Sequence, residues 1–115
     1  MKVQVLRCKI HRARVTGKNL EYEGSLTLGK ALLSASGMYP YEKIEVYNIT
    51  NGERFSTYII PGEENGYEVV LNGAAARKAE VGDLLIIASY TLLEKEELEG
   101  YSPRITILGE DNRPL

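Results

Sequence analysis

The chain has 115 residues but no tryptophan, a single cysteine and a single histidine. One cysteine cannot form a disulfide within the chain, so we interpret Cys8 as a small buried hydrophobic residue. One cysteine and one histidine cannot complete a structural zinc site either, and we therefore expect no metal.

Long apolar runs and an excess of charge are also missing. No stretch approaches the roughly 20 apolar residues of a membrane span, and the amino terminus lacks the apolar core of a signal peptide. The 14 basic and 16 acidic side chains leave a formal net charge of −2, which gives no reason to expect nucleic acid as a partner. We therefore expect a cytoplasmic protein with no membrane or nucleic-acid partner.

Apolar residues are nevertheless sufficient for one domain over residues 1–115, since they make up 43% of the chain. The pair Asn51-Gly52 is the strongest hairpin signal. Short segments rich in alternating apolar and polar residues predict strands at 2–8, 10–16, 19–23, 43–49, 54–60, 67–71, 84–90 and 103–108.

Helical periodicity is limited to short segments. A helix is predicted over 27–36, with Ser25 or Thr27 as its cap and Gly37 as its C-terminal stop. Many short strands with few small helices favour a mainly β fold, a small closed barrel. Further predictions are helical turns at 73–80 and 93–99 and a flexible tail at 110–115.

The dipeptide Gly24-Ser25 lies between a predicted strand and the predicted helix. Glycine and serine are ordinary turn residues, and a turn is one interpretation. The other is self-processing, in which the serine hydroxyl attacks the preceding carbonyl carbon and converts the amide into an ester. Elimination across that ester would leave a pyruvoyl group, a ketone made from the chain itself, at residue 25.

The return strand of the hairpin carries Arg54, Ser56 and Tyr58 on one face, because strand side chains alternate. Arginine offers a charged, bidentate fork for a carboxylate. Tyrosine has a reference pKa of about 10 and can donate a proton at neutral pH. The alternative is the polar outer face of an amphipathic strand.

Two further features could bind an anionic small molecule. Small residues at 72–76 would let a ligand approach backbone N–H groups at a helix start, and the alternative is a tight strand-to-helix turn. Lys9 and His11 would share a strand face. The basic residues around Lys9 indicate either solvated strand edges or an anion pocket, and the histidine either a structural group or a catalyst.

Five segments carry a joint pattern: 9–12, 22–25, 48–58, 72–76 and 81–89. Taken together, they resemble the aspartate decarboxylase family of self-processing, pyruvoyl-dependent enzymes. The resemblance implies a double-psi β-barrel and a homotetramer with active sites at subunit boundaries. It also implies decarboxylation of L-aspartate to β-alanine for pantothenate synthesis, and maturation could involve a helper protein. A chain of this size with no glycine-rich phosphate cradle is an unsuitable host for pyridoxal phosphate.

The resemblance also assigns the processing and catalytic roles. Cleavage at Gly24-Ser25 would give chains 1–24 and 25–115, and Ser25 would become the pyruvoyl group that forms a Schiff base with substrate. Thr57 would assist cleavage and contact substrate, and Tyr58 would be the proton donor.

The remaining implied roles concern the substrate pocket. The family often has tryptophan where this chain has Tyr47, so that wall of the pocket is expected to differ. Arg54 and Lys9 would bind carboxylate or shape the pocket, and Gly73, Ala74 and Ala75 would supply backbone contacts. The implied lining residues are His11, Tyr22, Tyr47, Asn72 and Ile86.

Some alternatives stay open on the sequence alone. The substrate could be another acidic amino acid such as glutamate, or the chain could be a non-catalytic binding module whose Gly24-Ser25 bond never breaks. Strict alternation puts Thr57 and Tyr58 on opposite faces. If both reach one pocket, the strand must bulge or twist, or two subunits must share the site.

Overall fold

The structure is a computed structural model that describes all 115 residues. None of its helices is long and apolar enough to cross a membrane. Three short 3-10 helices cover Gly73–Lys78, Lys95–Leu98 and Glu110–Asn112. The other elements are β1 (Lys2–Arg14), β2 (Gly17–Asn19), β3 (Ser25–Leu28), α1 (Lys30–Ser36), β4 (Lys43–Asn48), β5 (Arg54–Pro61), β6 (Val69–Asn72), β7 (Leu84–Glu94) and β8 (Arg104–Ile107).

The strands form a ladder in the order β2-β6-β3-β5-β4-β7-β1-β8. β1 and β2 are successive parts of one extended segment, residues 2–19. The first part pairs with β7 and the last part with β6, and between them the Thr16 N–H donates to the Val69 carbonyl at 2.8 Å. The same segment therefore closes both ends of a six-stranded ring, with β8 outside it. The predicted mainly β fold, a small closed barrel with a few short helices, is confirmed.

The barrel interior is filled by one face of each strand. The core cluster holds 20 buried residues, among them Ile10, Leu26, Ile59 and Ile87, each with no exposed surface. Burying one such side chain contributes about 1.5–3 kcal/mol. Cys8 is 2% exposed and belongs to this cluster, which confirms its interpretation as a small hydrophobic residue.

The boundary between β3 and α1 differs from the prediction. Thr27 continues the strand, because it pairs with Ile60 on one side and Val70 on the other. The N-cap is Gly29, with no side-chain cap bond, so the expected capping by Ser25 or Thr27 is wrong. A side chain at Gly29 would collide with the carbonyl oxygen of Gly66, which explains glycine there.

Other element boundaries also changed. The strands predicted at 2–8 and 10–16 are the single strand β1, which follows β7 through two register irregularities, between Leu6 and Cys8 and between His11 and Ala13. Gly37 does end α1, in the left-handed conformation with φ 78. The segment predicted as a strand at 19–23 is mostly turn, because β2 ends at Asn19.

Residues 110–115, expected as a flexible tail, make specific contacts with the barrel. Asn112 is 1% exposed and donates to the carbonyls of Arg14 and Tyr67 at 2.9 and 3.1 Å. Pro114 bridges to Leu108. The contacts join residues far apart in sequence, which explains why local composition did not indicate them.

Candidate active site

The Gly24-Ser25 bond lies where the loop after β2 enters the barrel. Gly24 is exposed, whereas Ser25, the first residue of β3, has no exposed surface. The Ser25 hydroxyl donates to the Glu23 carbonyl at 3.0 Å and accepts from Nδ2 of Asn72 at 2.9 Å. Both partners fix the hydroxyl, so a nucleophilic oxygen is buried and oriented beside the bond that precedes it.

The turn after β6 packs directly on this loop through Gly73. Gly73 has φ +61, and a Cβ there would lie 2.6 Å from the Gly24 nitrogen and 2.6 Å from the Tyr22 carbonyl oxygen. Only glycine accepts both this conformation and this approach. Gly73 therefore holds the backbone before Ser25 in place, while the Tyr22 side chain is largely exposed.

A cavity of about 280 Å³ opens beside Gly24. Its size is near the lower end of the range for ligand pockets, about 300–1,000 Å³. Four larger hollows, of about 290, 390, 460 and 510 Å³, lie elsewhere, but none of them is lined by Gly24 or Ser25. The lining residues are Gly24, Phe55, Ser56, Thr57, Ala74, Ala75 and Lys78.

The cavity brings together several residues that the sequence singled out and some that it did not. Gly24, Thr57, Ala74 and Ala75 were expected at the site. Lys78 was not, and it is the cation of the cavity. Its Nζ lies 2.8 Å from the Glu53 carboxylate, on the same hairpin as Thr57. No spacing signal links Lys78 to Gly24, so only the fold could find it.

The opposite orientation of Thr57 and Tyr58 remains in the structure. Thr57 pairs with the buried Ile44, and Tyr58 pairs with the exposed Lys43, with no register shift along β5. Thr57 lines the cavity and Tyr58 does not. No bulge in β5 therefore brings Thr57 and Tyr58 of one chain to the same pocket.

A second group of expected residues forms a row across the outer face of the barrel. His11 lies opposite Ile86, Ile86 opposite Tyr47, and Tyr47 opposite Arg54. Lys9 lies on the same face, two residues from His11 on β1. None of these five residues lines the cavity beside Gly24. We call them the outer-face row.

The outer-face row is held together by aromatic contacts. The Arg54 guanidinium lies over the Tyr47 ring, 4.0 Å from its centroid, in cation–π geometry. The hydroxyls of Tyr47 and Tyr90 are hydrogen-bonded at 2.9 Å. Sequence reasoning missed Tyr90, although strand alternation places it on the same face as Ile86.

The hydrogen bond with Tyr47, followed by burial and the nearby Glu45 carboxylate, raises the pKa of Tyr90 to about 12. Arg54 acts in the opposite direction. Tyr90 therefore keeps its proton throughout the neutral range. In the same row, Nδ1 of His11 is buried and has no hydrogen-bond partner within the chain.

The structure contains no group of three or more His, Cys, Asp or Glu side chains arranged to hold a metal ion. Asn72, expected to line the site, contributes by bonding the Ser25 hydroxyl. Fold and site together define a small β-barrel protein in which a buried, oriented serine follows a glycine that lines a cavity of about 280 Å³.

Comparison with known proteins gives the family. The model described as aspartate decarboxylase matches residues 1–115. The aspartate 1-decarboxylase of Ralstonia pickettii (strain 12J) is 54% identical over 113 residues, covering 98% of this chain and 94% of that protein. The chain therefore belongs to the aspartate decarboxylase family, as its motifs predicted.

Other organisms carry similar proteins. The aspartate 1-decarboxylase of Persephonella marina (strain DSM 14350 / EX-H1) is 49% identical over 112 residues, which cover 97% of this chain and 80% of that protein. That of Caldicellulosiruptor bescii is 50% identical over 113 residues, with 98% and 88% coverage. The similarity thus extends over nearly the whole length of each protein.

Proposed function

We propose that the chain is a carboxy-lyase that converts L-aspartate into β-alanine and CO2 for pantothenate synthesis. The observation that carries the proposal is the family match over the whole chain, together with the aspartate 1-decarboxylase names of relatives that are about half identical. Neither of the alternatives, glutamate as substrate or a non-catalytic module, is favoured by these relatives.

The proposed first step is cleavage of the Gly24-Ser25 bond. Oγ of Ser25 attacks the Gly24 carbonyl carbon, the C–N bond breaks, and the chain is joined by an ester with a free amine at residue 25. The support is the buried, doubly bonded hydroxyl and the close packing of Gly73 on the Gly24 backbone. Both arrangements reduce the entropy cost of an attack by neighbouring groups.

The proposed second step is elimination from the ester. The Cα proton of residue 25 is lost, the Cβ–Oγ bond breaks, and the oxygen leaves with Gly24 as its new carboxylate. The Asn72 N–H that points at Oγ can stabilise the charge that develops on this leaving oxygen. Water then replaces the nitrogen, which leaves as ammonia, and the products are chains 1–24 and 25–115.

Thr57 is proposed to assist the attack. It lines the cavity together with Gly24, and its hydroxyl makes no hydrogen bond within the chain. A free hydroxyl at this position can donate to the Gly24 carbonyl oxygen as that oxygen gains charge. Thr57 is also proposed to contact substrate later, because the same cavity would receive it.

The pyruvoyl ketone formed from Ser25 would bind the substrate amine and accept the electrons released with CO2. The residues present fit it, since Gly24, the residue before Ser25, lines the cavity together with the small residues Ala74 and Ala75. In the proposed scheme Gly73, Ala74 and Ala75 contact substrate through their backbone. Tyr58 does not line this cavity. It is proposed to return a proton from a neighbouring copy to the carbon that lost its carboxylate.

Arg54 and Lys9 are proposed to bind the substrate carboxylate, yet they lie in the outer-face row. We therefore propose a homotetramer in the cytoplasm in which the outer-face row of one copy completes the cavity of another. The row itself supplies a charged, aromatic surface for the contact.

The test is a decarboxylation assay on the purified protein with L-aspartate and L-glutamate in parallel. We expect β-alanine from aspartate, no corresponding product from glutamate, and no product from the Ser25→Ala variant. Activity on glutamate alone would contradict the proposed substrate. Full activity of Ser25→Ala would contradict the proposed origin of the ketone.

A further inference from the structure

Thr27 lies on the same face of β3 as Ser25, because the two residues are two positions apart on one strand. In the pairing with β6, Asn72 is opposite Ser25 and Val70 is opposite Thr27. Asn72 and Thr27 are therefore diagonal neighbours, a spacing that polar side chains can span. Nδ2 of Asn72 donates to Oγ of Ser25 and to Oγ1 of Thr27, both at 2.9 Å.

These two hydrogen bonds determine which end of the Asn72 carboxamide faces Ser25. The Ser25 hydroxyl has one proton, and it is directed at the Glu23 carbonyl, so Oγ must act as acceptor toward Asn72. The planar amide has two N–H groups, and Oγ1 of Thr27 accepts a hydrogen bond from the second. Without that acceptor the amide can rotate, so that its oxygen instead of its nitrogen faces Ser25.

Thr27 is itself held in one conformation. It lies between Ile60 of β5 and Val70 of β6 in the sheet. A carbon added at Gly62 would lie 3.0 Å from the Thr27 methyl group, so that methyl packs closely on the Gly62 backbone. β-Branched side chains have few rotamers, and this packing leaves the hydroxyl directed at Asn72.

We propose that Thr27 is a positioning residue for self-cleavage, whose hydroxyl holds the Asn72 carboxamide with an N–H directed at Oγ of Ser25. The inference rests on the proposed cleavage of the Gly24-Ser25 bond. Thr27 does not touch the bond that breaks. It acts through Asn72, whose N–H stabilises the leaving oxygen.

The first experiment replaces the hydroxyl and keeps the shape. Thr27→Val retains the branched side chain and its methyl contact, and cleavage is followed as the conversion of one band into two on a denaturing gel. We expect cleavage about fivefold slower than in the wild type, the effect of one hydrogen bond. Thr27→Ser should recover most of the rate. Thr91→Val, a half-buried strand threonine without a side-chain hydrogen bond, is the matched control and should cleave normally.

The second experiment asks whether Thr27 acts through Asn72. If it does, adding Thr27→Val to Asn72→Ala should cause no further slowing, because coupled residues are not additive. If the slowing by the two substitutions multiplied in the double variant, the inference would be overturned. It would also be overturned if Thr27→Ser cleaved as slowly as Thr27→Val while both variants kept the wild-type melting temperature. If the wild type cleaves and Thr27→Val cleaves at the same rate, the role of Thr27 is overturned but the proposed cleavage is not. A wild-type chain that never cleaves would overturn the proposed function and this inference together.

Discussion

The cavity beside Gly24 and the outer-face row differ in how they are held. Around Gly24 the chain fixes its own backbone through the Gly73 contact and the hydrogen bonds of Ser25 and Asn72, and these three residues are themselves buried. In the outer-face row, side chains project from strands, Arg54 is exposed, and one histidine nitrogen lacks a partner. We propose that the first region breaks a bond within one chain, and that the charged groups of the second bind an incoming carboxylate.

The largest expected effect comes from Gly73→Ala, which changes the backbone contact beside the cavity. The left-handed conformation and the 2.6 Å approach to the Gly24 nitrogen would both oppose a methyl group. We expect a loss of at least about 3 kcal/mol, or a Tm lower by about 10 °C or more, together with loss of cleavage.

The matched control for Gly73→Ala is Gly52→Ala. Gly52 has a similar φ of +80, but nothing lies within 4 Å of an added carbon. Only the conformational cost of about 1 kcal/mol should remain, and cleavage should be unchanged. Equal melting temperatures for the two variants would show that the contact between Gly73 and Gly24 does not contribute to stability.

The next effect separates the two regions. Arg54→Gln removes a charge from the outer-face row and leaves the cavity lining intact. We expect a normal rate of chain cleavage but a kcat/KM for aspartate reduced about 10- to 100-fold, the value of a charge-assisted hydrogen bond. Arg77→Gln, at an exposed arginine without a side-chain hydrogen bond, is the control and should change neither rate. If Arg54→Gln slowed chain cleavage and Arg77→Gln did not, the outer-face row would not be separate in function from the cavity beside Gly24.

The smallest effect is a pH dependence at Tyr90, which is hydrogen-bonded to Tyr47 of the outer-face row. The hydrogen bond with Tyr47 raises the pKa of Tyr90 to about 12, above its ordinary value of 10.0. A raised pKa means that the folded state holds the proton more tightly, so this stabilisation is complete below pH 10 and is lost as the pH rises toward 12. Because Tyr90 is 39% exposed, solvent screening keeps the change in stability small.

Ultraviolet titration of the tyrosines measures this effect. One tyrosine should titrate near pH 12 in the wild type, and that component should be missing from Tyr90→Phe. In Tyr47→Phe, Tyr90 should titrate closer to 10. A wild-type profile that is identical to the profile of Tyr90→Phe in this range would show that the hydroxyl pair does not form.

Local chemistry made part of this molecule predictable from sequence. Gly37 ends its helix as expected, and the serine after Gly24 could be singled out because of its reactivity. The start of α1 could not be placed, because Thr27 follows the pairing of β3 with two distant strands and not its own helical spacing. The pairing of strands that are distant in sequence determines where a strand ends and a helix begins.

Several contacts of the site had no local signal at all. Lys78 reaches the cavity through a turn, and Tyr90 meets Tyr47 across β7 and β4. Closure of the barrel depends on one segment, 2–19, that pairs with β7 and then with β6. Motif spacing predicted which residues would carry chemistry, but only the fold shows that these residues lie in two separate regions.

The central claim is that the chain alone contains what is needed to break its Gly24-Ser25 bond. Intact-mass spectrometry of the freshly folded wild-type protein, with no other protein added, tests it most directly. The account predicts two chains, 1–24 and 25–115, the second beginning with a carbonyl group that reacts with a hydrazine. A single unbroken chain of 115 residues after prolonged incubation would contradict it.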